Sequence, residues 1–139
     1  MDLRFIEEWI VEFASRHKVK QVLFDPWSAT NICQNLADQH YMHVQQFRQG
    51  AVTMAPAVVE FDRLLVADKI RHGNHKILNW QMQNVQAHED HKGNRTPWKK
   101  KGDYRTIDGV VASIMAVNGA LAEHRTIKSI YATREMVTL

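Results

Sequence analysis

Two acidic residues stand where a chain could use them for chemistry. Asp25 follows residues 21–24, Gln-Val-Leu-Phe, a short apolar run bounded by Lys20 and by Asp25-Pro26. That pattern predicts a buried strand ending at Asp25, because Pro26 cannot continue a ladder. In open α/β sheets, ligands bind at the carboxyl ends of strands, where this carboxylate falls. Asp108 opens an apolar helix expected over about 107–123, directly after a basic segment. Carboxylates at element ends beside cations suit hydrolysis of a phosphodiester. Their hard oxygens bind Mg²⁺ or Mn²⁺, the metal activates water and stabilises the leaving oxygen, and lysines and arginines hold the phosphates. On spacing alone, plainer assignments stand ahead: Asp before Pro as a turn residue, and Asp in a first helical turn as a dipole partner.

Other reactive side chains point to less. His72 and His75, and His88 and His91, each have HxxH spacing. Zinc sites of that spacing draw further ligands from cysteine or a second histidine pair. The single cysteine, Cys33, lies about 40 residues from His72, so the histidines read as surface-loop residues. Cys33 follows inward-facing Ile32 and reads as a buried thiol, and Ser28 as a helix cap without a G-x-S-x-G context. His124 is placed near a helix C-terminus, where it suits the dipole. Of four tryptophans, Trp9 is expected in the core, Trp27 and Trp80 as wedges beside the site, and Trp98, next to Lys99, as a nucleic-acid contact.

The elements that must position these groups follow from apolar spacing. Phe5, Ile6, Trp9, Ile10, Phe13 and Ala14 recur at helical period after Asp2. After the strand at 21–24, Ser28 begins a helix with Ile32, Cys33 and Leu36 inward. Met42 and Val44 alternate in a second strand that ends before Gln49-Gly50. Pro56 sits near the start of a third helix with Val58, Phe61, Leu64 and Leu65 inward. Residues 77–86 read as a helical turn and then a short strand near Asn84-Val85, residues 88–102 as a polar loop, and residues 127–139 as strand or irregular. The order implies an α/β layer with two or three strands, fewer than an independent sheet usually needs. Without a repeat or a Pro/Gly-rich linker, residues 1–139 read as a single domain.

Composition bounds the partners. The 139 residues are 45% hydrophobic and 24% charged, ordinary globular values that exclude low-complexity and collagen-like classes. The longest uncharged run, 109–122, has fourteen residues, against the roughly 20 that span a bilayer, so no membrane partner is expected. Charges at Asp2, Arg4, Glu7 and Glu8 exclude a secretory signal, and the lone cysteine suits a reducing cytoplasm. Net charge is +3, but residues 92–105 carry six basic side chains and one acid, +5 on a body of −2. An anionic partner approached at one place is the implication.

Six pieces in order strengthen the chemical reading. Phe24-Asp25-Pro26-Trp27, Arg48-Gln49-Gly50, Arg71-His72-Gly73-Asn74, Trp80 with Asn84-Val85, Lys99-Lys100-Lys101 and Ile107-Asp108-Gly109-Val110-Val111-Ala112 resemble the C-terminal nuclease domain of tailed-phage terminase large subunits. The ending Ser129-Ile130-Tyr131-Ala132-Thr133-Arg134-Glu135 is also similar. The resemblance implies an RNase H-like fold and metal-dependent cutting of DNA during packaging. It implies catalytic, metal-binding carboxylates at Asp25 and Asp108, with Mg²⁺ or Mn²⁺ as cofactor. It also implies a DNA-facing role for Lys99, Lys100 and Lys101; Arg105, from the same basic segment, and Trp98, beside Lys99, are expected to join them.

The departures shape the expectation further. The family's nuclease begins with a strand meander whose first strand carries another metal-binding aspartate, and this sequence starts at the helix after it. Asp2, at a helix start, does not replace that aspartate. No GxxxxGK[ST] phosphate loop occurs, so the motor is not expected. Thr106 stands where the family often has lysine, and the family's second glycine and proline are missing around Asn74-His75-Lys76. The chain therefore reads as the distal, incomplete part of an RNase H-like nuclease, from a split or truncated gene. It is expected to cut poorly alone and to act in the cytoplasm of a bacterial host. Its expected partners are double-stranded DNA and the rest of the terminase (ATPase part, small subunit, portal) or a second copy, which would cover the open edge at Val22, Leu23 and Phe24. Two alternatives stay open: a non-catalytic DNA- or partner-binding remnant, and a nuclease of junction-resolvase type.

Overall fold

A computed structural model of the chain describes residues 3–99 and 104–132. Its order is α1 (Leu3–Arg16), β1 (Val22–Phe24), α2 (Pro26–Asp38), β2 (Val44–Gln46), α3 (Ala51–Val66), α4 (Lys76–Asn84), β3 (Gln86–Glu89), β4 (Arg95–Trp98) and α5 (Asp108–Ala132). The chain divides into two compact units, Met1–Gln49 and Gly50–Leu139.

The first unit is a β-α-β crossover with α1 packed on α2. β1 and β2 run parallel, with Val22 opposite Val44 and Phe24 opposite Gln46. Val22 N–H donates to His43 O at 2.8 Å and Phe47 N–H to Phe24 O at 2.8 Å, closing both ends of the pair. Ile32, Cys33 and Leu36 of α2 are buried, as their spacing predicts, together with Phe47. Burial pushes the Cys33 thiol pKa up, which suits an inert core thiol. Glu7 ties α1 to the end of α2. It accepts from Asn35 Nδ2 at 3.1 Å and lies 3.3 Å from His40 Nε2.

In the second unit α3 and α4 pack on α5, and β4 packs on α3. Met54, Ala55, Ala57 and Phe61 of α3 are buried, as are Ile107 and Val110, Ile114 and Met115 of α5. β3 and β4 form an antiparallel hairpin with Gln86 opposite Trp98 and Glu89 opposite Arg95. Its turn is organised by one carboxylate: Asp90 Oδ1 accepts from Lys92 N–H at 2.8 Å and Asn94 N–H at 2.9 Å, and Oδ2 from Asn94 Nδ2 at 2.8 Å. Gly93, at φ 79°, takes the left-handed position such a turn requires.

Several sequence expectations change. The window read as a polar loop, 88–102, holds the turn and β4 of a hairpin whose β3 starts at Gln86, just past the strand expected near Asn84-Val85; turn chemistry outweighs polar flanks and Pro97 sits on an edge strand. Residues 77–86 are mostly one helix, started by His75, whose Nδ1 accepts from Leu78 N–H at 3.3 Å. α2 begins at Pro26, two residues before Ser28, since Asp25 caps it. α5 continues to Ala132, which places His124 in the helix interior and turns the expected irregular 127–132 into helix. Residues 133–139 lie outside the described residues. β1 is half-buried rather than buried, and among the described residues it pairs with β2 alone.

Trp9 is 55% exposed: Ile6, Ile10 and Ala14 are the more covered stripe of α1, and Phe5, Trp9 and Phe13 stand on the other, with Trp9 and Phe13 stacked at 5.5 Å. Leu65, expected inward, instead lines a cleft of about 570 Å³ with Phe61, Met82 and Val117.

Leu36 is 0% exposed. Leu36→Ala removes a fully enclosed side chain and is expected to cost about 2–5 kcal/mol. Hydrogen exchange at the Val22 and Phe47 amides, which close the β1–β2 pair, measures that loss.

Candidate nuclease site

Asp25 occupies the junction between β1 and α2. Its backbone is extended (φ −80°, ψ 123°), and Oδ1 accepts from Trp27 N–H at 3.1 Å. Pro26 follows at the first helical position, where a missing N–H costs nothing. Among the described residues, the cap hydrogen bond falls on Oδ1. Trp27 is 94% exposed, so it does not serve as the wedge expected from the sequence.

Asp108 belongs to the second unit, at the start of α5, and its side chain is exposed. The residue before it is Ile107, whose carbonyl accepts from Val110 N–H at 3.0 Å and Val111 N–H at 3.1 Å. Ile107 thus occupies the cap position of α5 but has only hydrocarbon to offer the first amides. The acceptor comes from α4 instead. Gln81 Oε1 accepts from Gly109 N–H at 2.7 Å, and Gln81 Nε2 donates to Thr106 Oγ1 at 2.9 Å. One turn further along α4, Asn84 Nδ2 donates to Thr106 O at 3.3 Å. A Cβ on Gly109 would collide with the Gln81 amide oxygen. Gln81 has no local sequence signature; the indirect signal is an apolar cap residue followed by a helix whose second amide needs a partner.

Of the expected DNA contacts, Trp98 and Lys99 lie at the end of the hairpin. Trp98 ends β4, is 42% exposed, and has His88 across the hairpin with ring centroids 6.3 Å apart. Lys99 follows it and is exposed. Lys100 and Lys101 lie outside the described residues. Arg105 is exposed and one residue before Thr106. Trp80, on α4, is 42% exposed rather than wedged. Arg95 and Glu89 pair across the strands at 2.9 Å, but both are exposed, so that pair contributes little.

The structure is similar to the crystal structure of the HK97 bacteriophage large terminase, with a TM-score of 0.74 and 29% identity over 86% of this chain and 25% of that one. The mixed helix-and-strand fold is therefore RNase H-like, as in the nuclease domain of that protein. A match to the family described as terminase large subunit, endonuclease domain, covers residues 1–124. The terminase large subunit of Enterobacteria phage HK97 is 31% identical over 124 residues, 88% of this chain and 24% of the relative. The chain belongs to the terminase large-subunit endonuclease-domain family, and it spans about a quarter of the length of the HK97 protein.

The Asp90 turn gives a prediction with a definite sign. Hydrogen bonds from the Asn94 side chain and backbone, then from Lys92 N–H, hold its carboxyl below the ordinary carboxylate value, with a small contribution from His88. A group depressed on folding stabilises the turn above its unfolded pKa, near 3.9 for Asp, and that stabilisation is lost as pH falls through the lower folded value. NMR shifts of the Lys92 and Asn94 amides are expected to titrate together, with a midpoint under the ordinary aspartate value. A midpoint at or above that value contradicts the role given to Asp90.

Proposed function

We propose that this chain is the distal portion, across residues 1–139, of a terminase nuclease domain that serves phage DNA packaging by metal-dependent phosphodiester hydrolysis. The observation that carries the reading is the family match over residues 1–124, which runs through both compact units and includes Asp25 and Asp108. In this reading the two carboxylates are the metal ligands. Their donor chemistry suits a hard cation, Asp108 is exposed, and the cap hydrogen bond of Asp25 falls on Oδ1. Two carboxylates do not make a full cage. Among the described residues, no group of three or more His, Cys, Asp and Glu forms a metal site.

Mg²⁺ or Mn²⁺ held by these aspartates would activate water and stabilise the leaving oxygen. The chain's own part is to present the carboxylates and to grip the polymer. Lys99, Lys100, Lys101 and Arg105 bind DNA phosphates, and Trp98 packs on the nucleic acid. The substrate is double-stranded DNA in the cytoplasm of a bacterial host. The partners are the rest of a terminase (ATPase part, small subunit and portal) or a second copy of the chain. Among the described residues β1 pairs with β2 alone, which supports such completion of the sheet. No helix among the described residues is long and apolar enough to cross a membrane.

The 139-residue protein by itself is expected to nick supercoiled plasmid slowly or not at all with Mg²⁺ or Mn²⁺. Robust nicking that vanishes in both Asp25→Ala and Asp108→Ala overturns the expected impairment and supports the ligand assignment. DNA binding supplies a separate check. Replacing Lys99, Lys100 and Lys101 with alanine should lower the slope of log affinity against log salt by up to about 3, roughly 0.9 per phosphate contact. An unchanged slope removes the loop from the DNA interface. Salt-sensitive binding that survives EDTA, with no cutting under any metal, favours a binding role without catalysis.

A further inference from the structure

Gln81 is a buried polar side chain that the proposed reaction leaves unused. Burying a primary amide is costly unless its ends are matched, and here both are: Oε1 by Gly109 N–H and Nε2 by Thr106 Oγ1. Both partners lie beside Asp108. The Gly109 bond spans 28 residues of sequence, because Ile107 has no oxygen in its side chain to do the work locally. Asn84 grips the backbone of the same segment through Thr106 O. Two side chains of α4 thus clamp residues 106–109, with two contacts before Asp108 and one after it.

We propose that Gln81 is a positioning residue, which holds the first turn of α5 so that Asp108 offers its carboxylate to a divalent cation in one orientation. This rests on the reading of Asp108 as a metal ligand. Without the Gln81 acceptor, the Gly109 amide is left unsatisfied and the turn frays. The cost of ordering Asp108 then moves into the binding step, and metal affinity falls. Partners that orient metal ligands from behind typically change affinity by about 10–100-fold when removed. Because the clamp has two members, the lower end of that range is expected.

The test uses the ¹⁵N-labelled 139-residue protein and Mn²⁺ alone. Paramagnetic broadening of the Asp108 amide reads cation binding, and hydrogen exchange at Gly109 reads the clamp. In Gln81→Met, Gly109 exchange is expected to rise at least tenfold while Ile114 and Met115 stay protected. The Mn²⁺ concentration for half-broadening is expected to rise about tenfold. Thr106→Val, which frees Nε2 but leaves Oε1 on Gly109, should shift both readouts in the same direction by less, and it serves where Gln81→Met fails to fold. Faster Gly109 exchange with an unmoved Mn²⁺ midpoint reduces Gln81 to a helix cap and overturns the positioning role, leaving the metal reading intact. Unchanged Gly109 exchange overturns the clamp itself. A wild-type Asp108 amide that ignores Mn²⁺ removes the metal reading and the positioning role together.

Discussion

The start of α5 depends on a hydrogen bond that its own sequence cannot make. Ile107 is buried and holds the helix in the core of the second unit, but an alkyl side chain leaves the first amides of α5 without an acceptor. Gln81 meets that need from α4, Thr106 Oγ1 keeps its amide from turning away, and Asn84 holds the Thr106 carbonyl. Core packing and polar satisfaction are thereby divided between two helices. Ile107 supplies the apolar anchor and Gln81 the acceptor, and the exposed Asp108 stands between their points of attachment.

Asp25 solves a similar problem by itself. It ends a strand, caps the next helix through one oxygen and precedes a proline that fixes the first helical φ. A plain structural duty and a chemical one are compatible in a carboxylate with two oxygens. The two candidate ligands therefore differ in how they are held. One is fixed by its own side chain acting as a cap, the other by the side chains of a neighbouring helix.

Much of this was legible in the residues, and the misses have physical causes. The β1-α2-β2 core followed from the spacing of Ile32, Cys33 and Leu36 and from the break at Asp25-Pro26. The hairpin was hidden because Gln-Ala-His-Glu and Arg-Thr-Pro-Trp carry no alternating apolar signal. Its register is set instead by the Asp90 and Gly93 turn. Trp9 defied its helical spacing because the covered stripe of α1 runs through Ile6, Ile10 and Ala14, half-buried, and the aromatic stripe lies beside it. Asp25 and Asp108 were visible as candidates through the order of several short motifs. Gln81 was not, since a side-chain cap supplied from a different helix leaves no local pattern.

The close approach of Gln81 to Gly109 also constrains how this sequence can drift. A methyl group at position 109 displaces the Gln81 amide oxygen from its place on the Gly109 amide, and a shorter residue at 81 leaves the helix start in need of another acceptor. The space at position 109 and the acceptor for its amide are thus set by one and the same side chain, so the two positions are coupled through a single atom.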